Sequence, residues 1–417
     1  MQTITIHGRQ PLHGSIRPAA AKNSALPLLA ASLLCGGPCR LRSVPALADV
    51  DTSLALLQAV GADAQRCGAD ICTRPADALC GEIPDSLAGA MRSSVFYLAP
   101  LLCRAGYVRL PLPGGCRLGP RPVDIHLAGL ASMGAEVELE GIAVTLRRKG
   151  PLHGVDFTLR LPSVGATMTL LMAACCAQGR TVLRGAAREP EIGDMIAFLC
   201  ACGADISGYG TSILTVQGGR PLGGAVHAPL PDRIAAATYA AALAAAGGDI
   251  RITGCDPALY GAFLQFLAQT GVQIENGPDW AGLARDPTVP LQGGVQLCAD
   301  AWPAFATDTA PLAAAVLLAA EGKSEIFDRL FPNRFACAAG FAAMGAEVTA
   351  KGRRLMIAGG SRLRGAAVTA PDLRGGAALL VAALGADGTT TLRDPGHIRR
   401  GYADLPGEIR RLGAEIG

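Results

Sequence analysis

One short pattern returns six times along the chain and limits what the fold can be. A helix end, a glycine and the start of an alternating strand occur as Val60-Gly61-Ala62, Met133-Gly134-Ala135, Cys202-Gly203-Ala204, Thr270-Gly271-Val272, Met344-Gly345-Ala346 and Leu412-Gly413-Ala414. Successive glycines stand 68 to 74 residues apart, so six units fill the 417 residues. Glycine suits the left-handed cap that ends a helix. A second marker keeps step with the first. Runs rich in alanine and leucine, each with a short turn and a strand, occur at 28–41, 170–183, 236–252, 312–326 and 379–392. Each unit therefore reads as strand, buried helix, strand, loop, amphipathic helix and strand.

A helix that is apolar on all sides must be buried, and one sheet of ordinary size cannot shelter six of them. The expectation is an α/β chain with two groups of three, each holding its helices inside a wall of sheets. Half the residues are hydrophobic and only 17% are charged, so there is material for two cores. The division falls near Pro229-Leu230-Pro231-Asp232, with the amino-terminal strand closing the second group beside the last unit. The predicted lobes are 22–230 and 1–21 plus 231–417, with a site in the cleft between them.

A net charge of +3 gives no reason to expect a nucleic-acid or membrane-surface partner. The opening residues 1–8 alternate like a strand and lack the basic start and apolar core of a signal peptide. The uncharged runs at 234–248 and 309–320 fall short of the roughly 18 to 20 residues of a membrane span. A soluble, cytoplasmic protein is expected. Fourteen cysteines in such a chain read as thiols and not disulfides. There is no Cys-x-x-Cys pair. Cys35 and Cys39 bracket Gly36-Gly37-Pro38, and neither Cys175-Cys176 nor Cys200-Ala201-Cys202 has a histidine beside it, so no metal site is expected. The six histidines are scattered, and His126 and His397, which flank candidate loops, are read as structural.

Polar groups gather at the predicted starts of the buried helices: Lys22-Asn23, Arg92-Ser93-Ser94, Ser163-Val164-Gly165, Asp232-Arg233, Thr307-Asp308 and Asp372-Leu373-Arg374. Free amides and the helix dipole favour anions there. The loops before the outer helices add Arg188-Glu189-Pro190-Glu191, Pro332-Asn333-Arg334 and Arg399-Arg400-Gly401-Tyr402. A further loop, 113–124, sets Cys116 among three glycines and three prolines with Arg117, Arg121 and Asp124 close by. Neighbouring cations lower a thiol's pKa from its free value of about 8.5. Lys22, Arg92, Arg121, Arg334, Arg374 and Arg400 together would select a substrate with several negative charges, because guanidinium forks match phosphate and carboxylate oxygens.

Over its whole length the chain resembles the UDP-N-acetylglucosamine 1-carboxyvinyltransferases, a family of enolpyruvyl transferases. The resemblance is carried by 21–27, by Pro113-Gly114-Gly115-Cys116 with Arg121-Pro122-Val123-Asp124, by 163–167 and 187–192, and by Leu230-Pro231-Asp232-Arg233, Asn333-Arg334-Phe335 and Arg400-Gly401-Tyr402. It implies two inside-out α/β barrels of three βαβαββ repeats each. It also implies transfer of the enolpyruvyl group of phosphoenolpyruvate to the 3-hydroxyl of UDP-N-acetylglucosamine, the first committed step of peptidoglycan precursor synthesis. No cofactor or metal is implied, and a monomer is expected.

By the same resemblance, Lys22 and Asn23 hold phosphoenolpyruvate with Arg121, Arg374 and Arg400, and Arg92 binds near the reacting centre. Arg334 belongs to the same substrate-binding group. Arg121, Pro122, Val123, Asp124 and Ile125, with Leu161, Pro162, Ser163, Val164 and Leu330, line the nucleotide-sugar site. Asp308 is the candidate base, Cys116 the general acid and the residue that fosfomycin would alkylate, and Lys22 and Arg400 count among the catalytic groups. The chain departs from the family's pattern at Leu161, where a lysine is usual, at Arg399, where an acid is usual, at Ala235 for glutamate and at Ala306 for proline. Three other readings compete: a 3-phosphoshikimate 1-carboxyvinyltransferase, which lacks the cysteine loop; a non-catalytic paralogue, which would tolerate the departures; and a DNA clamp, which would need its cations spread around a ring.

Overall fold

The computed structural model describes residues 2–111 and 123–417. By internal packing the chain divides after Ala19 and again after Leu230. The described residues between 20 and 230 form the first unit; those up to Ala19 join Pro231–Gly417 in the second.

Within the second unit the helices Arg233–Ala246, Ala310–Leu317 and Leu373–Leu384 pack on one another and are buried along almost their whole lengths. Their alanines explain how. A small side chain on every face lets three helix axes approach without voids, where larger residues would hold them apart. Three sheets accompany them among the described residues. The first unit repeats the scheme with Lys22–Ala31, Leu98–Ala105 and Val164–Cys176 and three more sheets. Two separate hydrophobic cores result, one in each unit.

One sheet shows how the sequence repeat becomes structure. Strands Asp156–Thr158 and Gly179–Arg184 pair in parallel across the buried helix Val164–Cys176. The outer helix Pro190–Ala201 follows, and then strands Asp205–Ser207 and Ile213–Gly218 add antiparallel pairs. That order is βαβαββ. Each repeat glycine sits just beyond an outer helix with positive φ, between 90° and 106°. Glycine tolerates that region where other residues are strained.

The amino-terminal strand Gln2–His7 pairs antiparallel with Thr389–Asp394 and Glu415–Ile416, beside the last repeat. Leu12–Ile16 runs parallel to Gly248–Thr253. The second unit thus takes strands from both ends of the chain. Backbone bonds fix both boundaries: Ala21 N–H donates to the Leu230 carbonyl at 2.7 Å, and Asp232 N–H to that of Ala19 at 2.8 Å. Among the described residues no helix is long and apolar enough to cross a membrane.

Candidate active site

All six polar stretches predicted at the starts of buried helices stand there. Lys22 opens its helix, and Arg92 opens a short turn, Arg92–Tyr97, that runs on into Leu98–Ala105. Ser163, Asp232 and Asp372 are N-caps, and Thr307–Thr309 leads into Ala310–Leu317. Asp372 accepts from the amides of Arg374 and Gly375, both at 2.9 Å, and Asp232 accepts from Ile234 and Ala235 at 2.8 and 3.1 Å. Ser163 Oγ accepts from Ala166 N–H at 3.3 Å.

In the second unit two of these starts and the loop before the outer helix Ala338–Ala343 bring Asp308, Arg374 and Arg334 together. Arg374 Nε donates to Asp308 Oδ1 at 3.2 Å, and Arg334 Nη1 lies 3.8 Å from the same oxygen. Beneath them Arg334 is buried. Its Nε donates to Thr307 Oγ1 at 3.0 Å, and its guanidinium carbon lies 4.4 Å from the Phe331 ring centre. The fully buried Asp328 accepts a short hydrogen bond from the Thr307 hydroxyl and bonds from the amides of Leu330 and Phe331 at 2.8 and 2.7 Å. A carboxylate below the cluster therefore fixes both the guanidinium and the Leu330 backbone. Burial is the largest influence and works against the charge of Arg374, but Asp308, Tyr402 and Asp232 together outweigh it and hold the guanidinium above its ordinary pKa.

The turn that ends at Arg400 is tied down on either side. Asp394 accepts from the amides of Gly396, His397 and Ile398 at 2.7 to 3.1 Å, and the Tyr402 hydroxyl meets Thr238 Oγ1 at 2.8 Å. Burial pushes the Tyr402 phenol up, with the neighbouring Arg374 opposing it, so Tyr402 also links the Arg400 turn to the Asp308 cluster.

In the first unit, Lys22 Nζ pairs with the buried Asp49 carboxylate at 2.9 Å. Asn23 follows Lys22 in the same half-buried turn, and Arg92 is half-buried. Val123 and Ile125 flank the start of the helix Asp124–Ser132, and Asp124 accepts from Arg160 Nη2 at 2.6 Å. Leu161 and Pro162 are exposed, and Ser163 and Val164 half-buried. Leu330 in the second unit is exposed. Cys116, Arg121 and Pro122 lie outside the described residues. His126 is buried against Thr169 Oγ1 at 2.9 Å, consistent with its structural reading, and burial pushes its pKa down to about 4.

Asp49 and Asp328 were missed by sequence reasoning. Asp49 does carry a signal, since it sits in the first turn of the outer helix Ala48–Ala59, where acids are favoured. Asp328, at the end of strand Ser324–Asp328, recurs one repeat later as Asp394, at the end of Thr389–Asp394.

The sequence model described as EPSP synthase (3-phosphoshikimate 1-carboxyvinyltransferase) matches residues 6–409. The UDP-N-acetylglucosamine 1-carboxyvinyltransferase of Cellvibrio japonicus is 39% identical over all of this chain and 99% of that protein. Its namesake in Nitratidesulfovibrio vulgaris is 40% identical over the same shares. The chain belongs to the UDP-N-acetylglucosamine 1-carboxyvinyltransferase family. The enolpyruvyl transferase NikO from Streptomyces tendae, a solved structure, is similar throughout: TM-score 0.89, 26% identity, 100% of this chain and 98% of that one. Family membership bears out the resemblance read from the motifs at Lys22, Arg334 and Arg400 and establishes an enzyme of the enolpyruvyl transferase kind.

Proposed function

We propose that the chain transfers the enolpyruvyl group of phosphoenolpyruvate to the 3-hydroxyl of UDP-N-acetylglucosamine, releasing phosphate. The observation that carries this reading is full-length identity of 39–40% to proteins of that name. The Asp308, Arg334 and Arg374 cluster on family motif positions supports it. In this proposal each unit is an inside-out barrel of three βαβαββ repeats, the lobes are 22–230 and 1–21 plus 231–417, and substrates bind in the cleft between them. The protein acts in the cytoplasm, as a monomer, without cofactor or metal in the reaction.

The chemistry assigns each group a task. The sugar 3-hydroxyl adds to C2 of phosphoenolpyruvate while a proton is delivered to C3. Phosphate then leaves as a proton is lost from C3, restoring the double bond. Asp308 accepts the hydroxyl proton, and the guanidinium groups of Arg374 and Arg334 fix where its oxygen points. Cys116 supplies the proton to C3, a contribution of about 10²- to 10⁴-fold. Lys22, oriented by Asp49, joins Asn23, Arg92, Arg121, Arg374 and Arg400 in neutralising the phosphate and carboxylate, so that charge developing in the transition state meets fixed donors. Pro122, Val123, Asp124, Ile125, Leu161, Pro162, Ser163, Val164 and Leu330 line the nucleotide-sugar side.

Phosphate release in the presence of both substrates, and in neither single-substrate control, is the expected result. Shikimate 3-phosphate in place of the nucleotide sugar should release none. Cys116→Ala should lose at least 100-fold in rate, and fosfomycin should add its mass to Cys116 alone. Release with shikimate 3-phosphate, or full activity in Cys116→Ala, would overturn the assignment.

A further inference from the structure

Outside the candidate active site, three thiols that are far apart in sequence converge in the first unit. The Sγ atoms of Cys35, Cys39 and Cys202 all lie within 4.8 Å of one another, with Cys35 and Cys202 3.5 Å apart. The sequence paired Cys35 only with Cys39 and gave no sign of the third sulfur. We propose that Cys35, Cys39 and Cys202 form a binding site for one soft, thiophilic metal ion, of which copper(I) is the type.

The site is held by backbone on every side. Cys35 follows the turn Ser32–Leu34 and bridges to Leu222, Cys39 opens strand Cys39–Leu41, and Cys202 caps the helix Pro190–Ala201. Gly36 N–H donates to the Leu222 carbonyl at 2.8 Å, and Gly223 N–H to the Cys202 carbonyl at 2.7 Å. The loop between Cys35 and Cys39 also lies against Gly224 so closely that a Cβ on Gly37 would stand 2.6 Å from the Gly224 nitrogen. A Cβ on Gly224 would stand 2.0 Å from the Pro38 carbonyl oxygen. With the backbone locked, the three sulfurs are held in place before any ion arrives, and binding loses little conformational entropy.

The donor set chooses the ion. Three sulfurs with no carboxylate or imidazole in the group disfavour magnesium, calcium and manganese and favour a soft ion. Structural zinc completes a tetrahedron of four ligands, which this group does not supply. Copper(I) accepts two or three thiolates, and the three cysteines are at most 3% exposed, which keeps water from competing. Uptake of the ion sends the thiol protons to solvent, so affinity rises with pH.

The test titrates reduced, full-length protein with copper(I) without oxygen, against a chromogenic copper(I) chelator. The expected result is about one ion retained per chain, with copper–sulfur and no copper–nitrogen scattering in X-ray absorption. That ion should be lost in Cys39→Ser and in Cys202→Ala, and kept in Cys103→Ala, which removes a thiol adjacent to Cys176 elsewhere in the unit. Cys35→Ser serves if Cys202→Ala fails to fold. Surrender of all copper by the wild type, unchanged retention in Cys39→Ser, or a Cys35–Cys202 disulfide that persists in copper-treated reduced protein would each overturn the proposal.

Discussion

Arg334→Met removes a charge from a nearly sealed place while keeping much of the side chain's length. The arginine donates to Thr307, sits 3.7 Å from the fully buried Asp328 and 3.8 Å from Asp308, and covers the Phe331 ring. Breaking a buried pair by removing one partner costs about 3–5 kcal/mol, because the other charge stays behind without it. Asp328 keeps its bonds from the Leu330 and Phe331 amides and from Thr307, so the low end, about 3 kcal/mol, is expected. Both tryptophans, Trp280 and Trp302, belong to the second unit, and Trp280 stacks under Arg251 at 3.5 Å. Their fluorescence therefore follows unfolding of the unit that carries the mutation. With a urea slope of about 2 kcal/mol per molar, the midpoint should fall by roughly 1.5 M. Adding Asp328→Asn to Arg334→Met should recover at least ~1 kcal/mol of the loss. A midpoint shift under about 0.5 M, or strictly additive effects, would refute the view that these two charges hold each other in the core.

Other consequences are as direct. Asp49→Asn removes the carboxylate that orients Lys22 and should lower kcat/KM for phosphoenolpyruvate by about 10- to 100-fold, the worth of a charged hydrogen bond, in the phosphate-release assay. Burial holds His126 at about 4 while the unfolded chain titrates near 6.5, so acid protonates the unfolded state first. Its contribution is complete above about pH 6.5 and shrinks toward pH 4. About 2 kcal/mol should vanish between pH 7 and 5 in wild type but not in His126→Asn, as followed by circular dichroism. Gly129→Ala and Gly340→Ala should each destabilise by about 1 kcal/mol, despite alanine's better helix propensity. The new methyl would stand 2.4 Å from Leu170 Cδ2 in one case and 2.5 Å from Leu379 Cδ2 in the other. A rise in melting temperature for either variant would show that the leucine yields.

The repeat made much of the fold readable. Gly61, Gly134 and their four counterparts mark outer-helix ends because backbone geometry there excludes other residues cheaply, and such a constraint leaves a trace in one chain. The buried helices were legible for a related reason, since an apolar surface on every side has one destination. Side-chain pairing left no such trace. Asp328 looks like any strand-end acid until Thr307 and Arg334 fold over it, and nothing local joins Cys202 to Cys35, 167 positions away. Of the site, the helix starts at Lys22, Arg92, Asp308 and Arg374 followed from phase within the repeat. The pairing of Arg374 with Asp308 depends on two different repeats meeting, which periodicity does not encode.

The way the helix starts are capped gives those repeats different work. Asp372, Asp232 and Ser163 bond the first amides of their helices, so an anion arriving there must be met by side chains such as Arg374. At Ala21 and Met91 the preceding residue has no side-chain oxygen to offer, so those two starts carry no side-chain cap. Lys22 and Arg92 add a cation at those same two starts. In the proposed assignment, a phosphate or carboxylate would meet Lys22 at a start without a side-chain cap and Arg374 at a capped one. Reversing the cap should separate the two modes. Ala21→Asp would supply a capping carboxylate beside Lys22 and should weaken phosphoenolpyruvate binding while stabilising the helix Lys22–Ala31 by about 1 kcal/mol. Tighter binding in that variant would show that the amides of this turn play no part in holding the anion.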